Sequence, residues 1–374
     1  MKRALLLGGG HAHVQVLDAW ARAPLPGVQL TLVTPFARQM YSGMVPGLLA
    51  GHYSAEQCVI PLEPLAAAAG ARLVLGRAVA LDAQSLRVTL ADGQVLGCDW
   101  LSVDTGPEME RDAIPGAAAH GLFVRPIELF VQQIEPVLGR AARQALQVVV
   151  IGGGAAGFEL ALALAFRLRA VGDGRSRVTL LSGGALLPGS PGAVVQRARH
   201  ALHSQGVSLC EPACVAIAAD HLMLADGARI ACDVPVLCIG AAAPRWLACS
   251  GLALDERGFI ATGPTLQSRS HPRVFAAGDV ATRIDAPHPK SGVHAVRAGP
   301  PLAANLKRAL LGQPLHAHTP QRRTLYLLSC GERSAIASWG GWSAQGRWVW
   351  WWKDRIDRAF VARYARPATA ATTA

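Results

Sequence analysis

The chain has 374 residues, enough for two or three ordinary domains. Hydrophobic residues make up 51% and charged residues 16%, so there is material for large cores and no case for a disordered chain. A net charge of +11 favours anionic partners such as lipid or an anionic cofactor, but no nucleic-acid-binding motif accompanies it, and nucleic acid is not expected.

The chain opens with an apolar strand, Arg3–Leu7, then Gly8-Gly9-Gly10-His11-Ala12-His13, then the helical run Val14–Arg22. Met1–Gly10 imitates a signal peptide, yet its apolar part is too short and glycines end it, so a cytoplasmic protein is expected. Strand, glycine turn and helix is the context that gives a dinucleotide fingerprint its meaning: the glycines permit a tight turn and close approach of a pyrophosphate, and the helix N-terminus offers N–H groups. The third fingerprint position, normally Gly or Ala, is His13, whose ring must widen the helix–strand gap or point outward. The next strand, Val28–Val33, ends at Thr34-Pro35, where an acidic residue usually grips a ribose.

The pattern returns at Gln147–Ile151, Gly152-Gly153-Gly154-Ala155-Ala156-Gly157 and the helix Phe158–Arg169, now as a complete fingerprint. Val148–Phe166 matches a membrane span in length only, because three glycines break it early and Glu159 sits in its middle. The strand Arg177–Leu181 again lacks a terminal acid, having Ser182-Gly183-Gly184, and no arginine follows at once to hold a 2′-phosphate. The eight cysteines form no CxxC pair and no zinc-like spacing, so no metal is expected; Cys210 and Cys214 read as residues of a strand edge.

Late in the chain, His271–Ala281 is an apolar strand ending in Gly278-Asp279. Leu101–Gly106 and Val236–Gly240 are strands ending in small residues and glycine, the first followed by Ile114-Pro115-Gly116. On these features the chain resembles the pyridine nucleotide-disulphide oxidoreductase superfamily over nearly its whole length. Tyr41-Ser42-Gly43-Met44-Val45-Pro46 looks like the segment that type II NADH dehydrogenases and sulfide:quinone reductases lay beside the isoalloxazine ring. Four blocks, Gly8–Val14, Tyr41–Gly47, Pro289–Arg297 and Trp352–Phe360, resemble the subgroup often joined to, or encoded beside, selenide, water dikinase.

The resemblance implies an α/β fold of two Rossmann-like three-layer domains, the second inserted into the first. Residues 1–112 and 249–314 would bind FAD, residues 113–248 NAD(P)H, and residues 315–374 would form an aromatic-rich C-terminal segment. It implies that Gly8, Gly10, His11 and Ala12 face the FAD pyrophosphate, with Thr34 and Pro35 near the adenosine and the Ala78–Val79 backbone on the adenine edge. Thr105 and Gly106 would close over that half. Gly278 and Asp279 would hold the ribityl chain, for which a carboxylate is a strong acceptor. N–H groups of Gly292, Val293 and His294 would meet the pyrimidine edge, and Gly299-Pro300-Pro301 should interrupt that helix. No catalytic residue is certain; Tyr41, Met44 and His294 are flavin-adjacent. Gly152, Gly154, Gly157 and Glu159 would meet the nicotinamide nucleotide, although Glu159 also reads as a first-turn acid favoured by the helix dipole.

Six of the nine tryptophans run from Trp339 to Trp352. Trp352, Ile356, Phe360 and Tyr364 step by four onto one helical face, with Lys353, Arg355, Arg358, Arg363 and Arg366 around it and Asp354 and Asp357 diluting the charge. One reading is a helix lying in a membrane interface; the other is packing on the chain's own flavin module or on a second subunit of a homodimer. The expected reaction carries electrons from NAD(P)H through FAD to a second small-molecule acceptor, a quinone first. Oxidation of a sulfur or selenium compound, with Cys58 or Cys330 beside the flavin, and a non-catalytic flavin-binding delivery module are the rivals.

Overall fold

The computed structural model describes residues 1–172 and 174–365. Arg366 and the Ala/Thr tail Ala368–Ala374 lie outside the described residues.

Two five-stranded sheets organise the chain. Strands β1 (Lys2–Leu7), β2 (Val28–Thr34), β3 (Arg72–Leu75) and β4 (Trp100–Val103) begin the first, with helix α1 (His11–Arg22) crossing between β1 and β2. The chain then leaves to build the second sheet from β5 (Leu122–Phe123), β6 (Gln147–Ile151), β7 (Arg177–Leu181), β8 (Ser208–Cys210) and β9 (Val234–Leu237), with α2 (Ala155–Val171) between β6 and β7. It returns with β10 (Val274–Ala276) to complete the first sheet. The orders are β10-β4-β1-β2-β3 and β5-β9-β6-β7-β8, and the pairings are parallel. The last four residues of β1 and of β6 are all buried, as strands covered on both faces require.

Helix α2 explains the long apolar run. Leu160–Ala165 are buried all round, because the helix packs on the second sheet and also on the short helix Val45–Leu49 of the first unit. Burying Phe158, Leu162 and Leu164 contributes roughly 1.5–3 kcal/mol each. Among the described residues no helix is long and apolar enough to cross a membrane.

Helix α3 (Gly292–Leu310) runs through Pro300 and Pro301 without the expected interruption. Pro300 cannot donate to the carbonyl four residues back, at Val296. The Gln15 amide of α1 does so in its place, Nε2 to O at 2.6 Å. Gly299 makes this approach possible, since a Cβ there would lie 2.4 Å from Gln15 Nε2. His13 also departs from expectation: its ring points inward, fully buried, with Nδ1 2.6 Å from the Gly8 carbonyl and Nε2 2.8 Å from Ser102 Oγ.

After α3 the chain adds an antiparallel sheet, β11 (Leu325–Ser329), β12 (Ala335–Trp339) and β13 (Trp342–Gly346), and the terminal helix α4 (Arg347–Ala365). The stripe read from the sequence divides between the two faces of α4, with Tyr364 packed inward and Trp352 and Ile356 left outside. Val349, Trp350, Lys353, Asp354, Asp357, Val361 and Tyr364 are buried, while Trp352 and Ile356 are exposed. The charged residues turn inward because partners for them stand on the first unit.

Candidate functional site

The first glycine loop closes around an acid that the sequence reading did not single out. Gly8 has φ +100°, and a Cβ on it would lie 2.3 Å from the Asp104 carbonyl oxygen. Cβ atoms at Gly10 and Gly278 would each come within 2.4 Å of the Asp104 carboxyl group. Asp104 Oδ2 accepts the N–H groups of Ala12 at 2.8 Å and His13 at 3.1 Å, so it caps α1. Burial pushes its carboxyl up to about 8, against the pull of those two N–H groups and with help from the charge of Asp279. The Ala12 N–H expected to face a pyrophosphate is therefore taken, and Gly10 and His11 stand nearer the mouth. The only signal was an acid at the end of an apolar strand, just before Thr105-Gly106.

Around this loop, Thr34 is buried with its Oγ1 beside Gly9, Pro35 and Val79 are exposed at the rim, and Gly106 has φ +72° next to the exposed Thr105. Asp279 is tied from two sides. Ser291 at the start of α3 gives it a backbone N–H, and Arg125, carried by the insert that builds the second sheet, reaches it with Nη2 3.4 Å from Oδ2. Burial raises the Asp279 carboxyl, while Arg125, Lys290 and His288 oppose the rise. The Arg125 guanidinium also flanks Gly106, and it lowers His11, whose imidazole burial already holds down at about 4. No spacing in the sequence pointed to Arg125.

His11 sits among the flavin-adjacent candidates. Gln39 Nε2 donates to its Nδ1 at 3.2 Å, which leaves the proton on Nε2, 3.5 Å from Ser42 Oγ. Its ring lies 5.3 Å from that of Tyr41, which stacks on Phe360 at 4.6 Å. Met44 is fully buried. His294 behaves otherwise. Its N–H turns to Ser291 O, its ring stacks on His288 at 4.0 Å, and Gly292 rather than His294 approaches Ser42. Of the expected helix-start donors, Gly292 and Val293 remain.

Behind Tyr41–Met44 lies a buried charged cluster from α4. Lys353 Nζ donates to the Gly43 carbonyl and to Asp357, each at 2.6 Å. Burial pulls the ammonium down, but Asp357, Glu159 and Asp354 together outweigh it and hold it above its usual range. Burial and Asp357 both raise the Tyr41 hydroxyl, and the Tyr53 hydroxyl donates to Asp354 at 2.7 Å. Glu159 joins from α2: its Oε1 accepts the Ser329 N–H at 2.7 Å, and burial pushes it up to about 7 against the charge of Lys353. Glu159 thus joins this cluster from near the start of α2, five residues after the exposed Gly154.

The second loop keeps its fingerprint geometry. Gly152 has φ +131°, and a Cβ on Gly157 would lie 1.8 Å from the Gly152 carbonyl oxygen, so α2 packs directly on β6. Nothing stands within 4 Å of a Cβ at Gly154, which leaves the loop open to a ligand. At the end of β7 the Ser182 hydroxyl donates to Gly184 O at 2.6 Å, in place of a ribose-gripping acid.

An extended dinucleotide fits the first loop on two counts: Asp279 and Arg125 stand beside it, and the buried Gln39 Oε1 and Ser291 Oγ near them have no partner. Cys58 and Cys330 are buried, and burial pushes the Cys58 thiol up to about 12 and Cys330 higher still, so neither offers a thiolate. Among the described residues no group of three His, Cys, Asp or Glu is placed to hold a metal ion.

The family model described as pyridine nucleotide-disulphide oxidoreductase matches residues 2–299. An NADH dehydrogenase-like protein of Mycobacterium tuberculosis is 31% identical over 275 residues, covering 70% of this chain and 68% of its own. Demethylphylloquinone reductase NdbB of Synechocystis is 24% identical over 330 residues, covering 84% and 81%. Among solved structures, the sulfide:quinone oxidoreductase of Aquifex aeolicus superposes with a TM-score of 0.82 at 18% identity, covering 100% of this chain and 93% of that one.

Proposed function

The chain belongs to the pyridine nucleotide-disulphide oxidoreductase family, as an FAD-dependent oxidoreductase that uses NAD(P)H, and on that premise we propose that its second acceptor is a quinone reached at a membrane surface. FAD, when bound, supplies two-electron transfer between donor and acceptor. Gly8, Gly10 and His11 would receive its diphosphate at the start of α1, Asp279 its ribityl chain, and the N–H groups of Gly292 and Val293 its pyrimidine edge. Gly152, Gly154 and Gly157 would receive the nicotinamide nucleotide. Residues 1–112 with 249–314 and residues 113–248 serve as the two binding units.

One observation carries the quinone reading: α4 has two functional faces. Its inner face holds the buried Lys353–Asp357 pair against Gly43, and its outer face exposes Trp348, Trp351, Trp352 and Ile356, beside Trp339 and Trp342 of the β12–β13 hairpin. The inner face sets the Lys353–Asp357 pair beside two proton-bearing groups of neighbouring elements, Tyr41 and Glu159, where an acceptor would gain electrons. The outer face suits the bilayer interface, where aromatic rings sit at headgroup depth and Arg347 and Arg355 meet anionic lipid. The Synechocystis relative is named for reduction of a demethylphylloquinone, which agrees with this reading.

Anaerobic mixing with NADH or NADPH should bleach the flavin absorbance, and a short-chain quinone should restore it. Bleaching that quinone fails to reverse overturns the acceptor assignment. The four sequence blocks support membership of the subgroup linked to selenide, water dikinase; co-purification of the two proteins tests that link. A homodimer formed through the same aromatic surface is the competing outcome of the lipid test described below.

A further inference from the structure

A cavity of about 230 Å³ lies against α3 and reaches Gly278 and Asp279, the residues assigned above to the ribityl end of the dinucleotide path. Gly292 and Gly299 point to Ser42 and Gln15, on the face of α3 that packs on α1. At 3.6 residues per turn, His294, Arg297 and Ala298 fall on the opposite face, and these line the cavity. Arg283, His288 and His318 complete its polar wall, and Asp279 is the one carboxylate in it.

The wall carries several N–H donors beside the Asp279 carboxylate and the side chains of Thr262, Thr319 and Gln321. Arg283 is almost fully buried. Its Nε and Nη2 bind Asp285 at 2.9 and 2.7 Å, while its buried Nη1 has no partner. His288 and His294 stack with ring centroids 4.0 Å apart and planes within 10°. Burial first, and then the neighbouring charges, hold all three imidazoles below their usual range: Arg297 and the other two histidines act on His294, and Arg283 acts on both His288 and His318. These side chains come from a strand, a helix and two loops, so their donors converge from several directions. His288 spends its Nδ1–H on the Pro289 carbonyl at 3.3 Å, so its other ring nitrogen is an acceptor, which leaves Arg283, Arg297, His294 and His318 as the lining groups with an N–H to offer. A buried, unanswered guanidinium donor is costly, and a charged acceptor is the strongest remedy.

We infer that this cavity is a binding site for a small, multiply charged oxyanion of the phosphate kind, adjoining the dinucleotide path at Gly278 and Asp279 and independent of the acceptor's identity. A tetrahedral anion presents oxygens in several directions and matches this arrangement better than a flat carboxylate. Free phosphate and a phosphomonoester share the chemistry, and the experiment separates them.

The test uses the FAD-loaded protein at constant ionic strength, with inorganic phosphate, glycerol phosphate and chloride titrated by calorimetry and by melting temperature. Saturable binding of phosphate but not chloride is expected. Arg297→Gln and His318→Gln, which change the partly open side of the cavity, should each weaken phosphate at least tenfold and leave the flavin spectrum unchanged. Tighter binding of glycerol phosphate would assign the site to an ester; exclusion of it would assign the site to the free anion. Absence of saturable binding by both, or equal affinity in both variants and the parent, overturns the inference.

Discussion

Arg125 and Asp279 stand 154 residues apart in sequence, yet their side chains meet at 3.4 Å, an ion pair between the insert that builds the second sheet and the first unit. On the proposed reading the ribityl chain would pass here, and cofactor and contact between the units would share one carboxylate. Asp279→Ala removes a charged hydrogen bond worth about 1.5–3 kcal/mol. FAD affinity should then fall roughly ten- to hundredfold, at about 1.4 kcal/mol per decade. Fluorescence titration of stripped protein measures it, and an unchanged curve moves the ribityl role elsewhere. Arg125→Ala should weaken FAD less, because that side chain is 36% exposed and screened by solvent.

Asp104 predicts a pH dependence. Its folded-state value, about 8, lies far above the ordinary 3.8. The stability it contributes is therefore complete below about 3.8, lost as pH rises toward 8, and constant beyond. FAD binding should follow the same sense, weakening between about pH 7 and 9 as a carboxylate charge appears beside the diphosphate. Asp104→Asn keeps an acceptor for the Ala12 and His13 N–H groups and should flatten the profile. A parent protein whose FAD affinity is level across that range would refute the role.

Removing Lys353 should expose how much the buried cluster relies on it. Lys353→Met leaves Asp357 and Glu159 without their cation, and breaking a buried pair from one side costs about 3–5 kcal/mol. Arg355→Ala, on the exposed side of the same helix, should stay within about 0.5 kcal/mol of the parent. Chemical denaturation of the two variants side by side decides; equal stabilities would mean that Lys353 is solvated.

The two faces of α4 make opposite predictions for adjacent tryptophans. Trp351 and Trp352 are exposed, so changing both to Ala should spare the melting temperature and release the protein from vesicles containing anionic lipid. Salt should weaken that binding, since headgroup attraction is screened over about 8–10 Å. Trp350 is buried against Tyr53 and His52, and Trp350→Ala should cost about 3–5 kcal/mol. If the double variant instead dissociates an oligomer and the parent ignores lipid, the surface is a subunit interface.

At the second loop, NADH and NADPH should bind with dissociation constants within about tenfold of each other, or 1.4 kcal/mol. Ser182 turns its hydroxyl back to Gly184, and neither a ribose carboxylate nor a phosphate-holding arginine stands at the end of β7. Stronger discrimination in paired titrations would reveal a contact from a distant segment.

What the sequence determined by itself was local. Gly8 and Gly152 mark turns that demand positive φ, the last four residues of each preceding strand are apolar because both faces are covered, and both facts are written within a dozen residues. The same locality explains the failures. The period of α4 was legible, but which face would be buried depended on what stood opposite: Tyr53 and Gly43 drew Asp354 and Lys353 inward and left Trp352 and Ile356 outside. The two prolines of α3 read as a break until Gln15, from another helix, supplied the missing donor. Asp104 and Arg125 were invisible for the same reason. A carboxylate or a guanidinium acquires its role from the groups that folding brings within a hydrogen bond of it, and those groups lie 92 and 154 residues away.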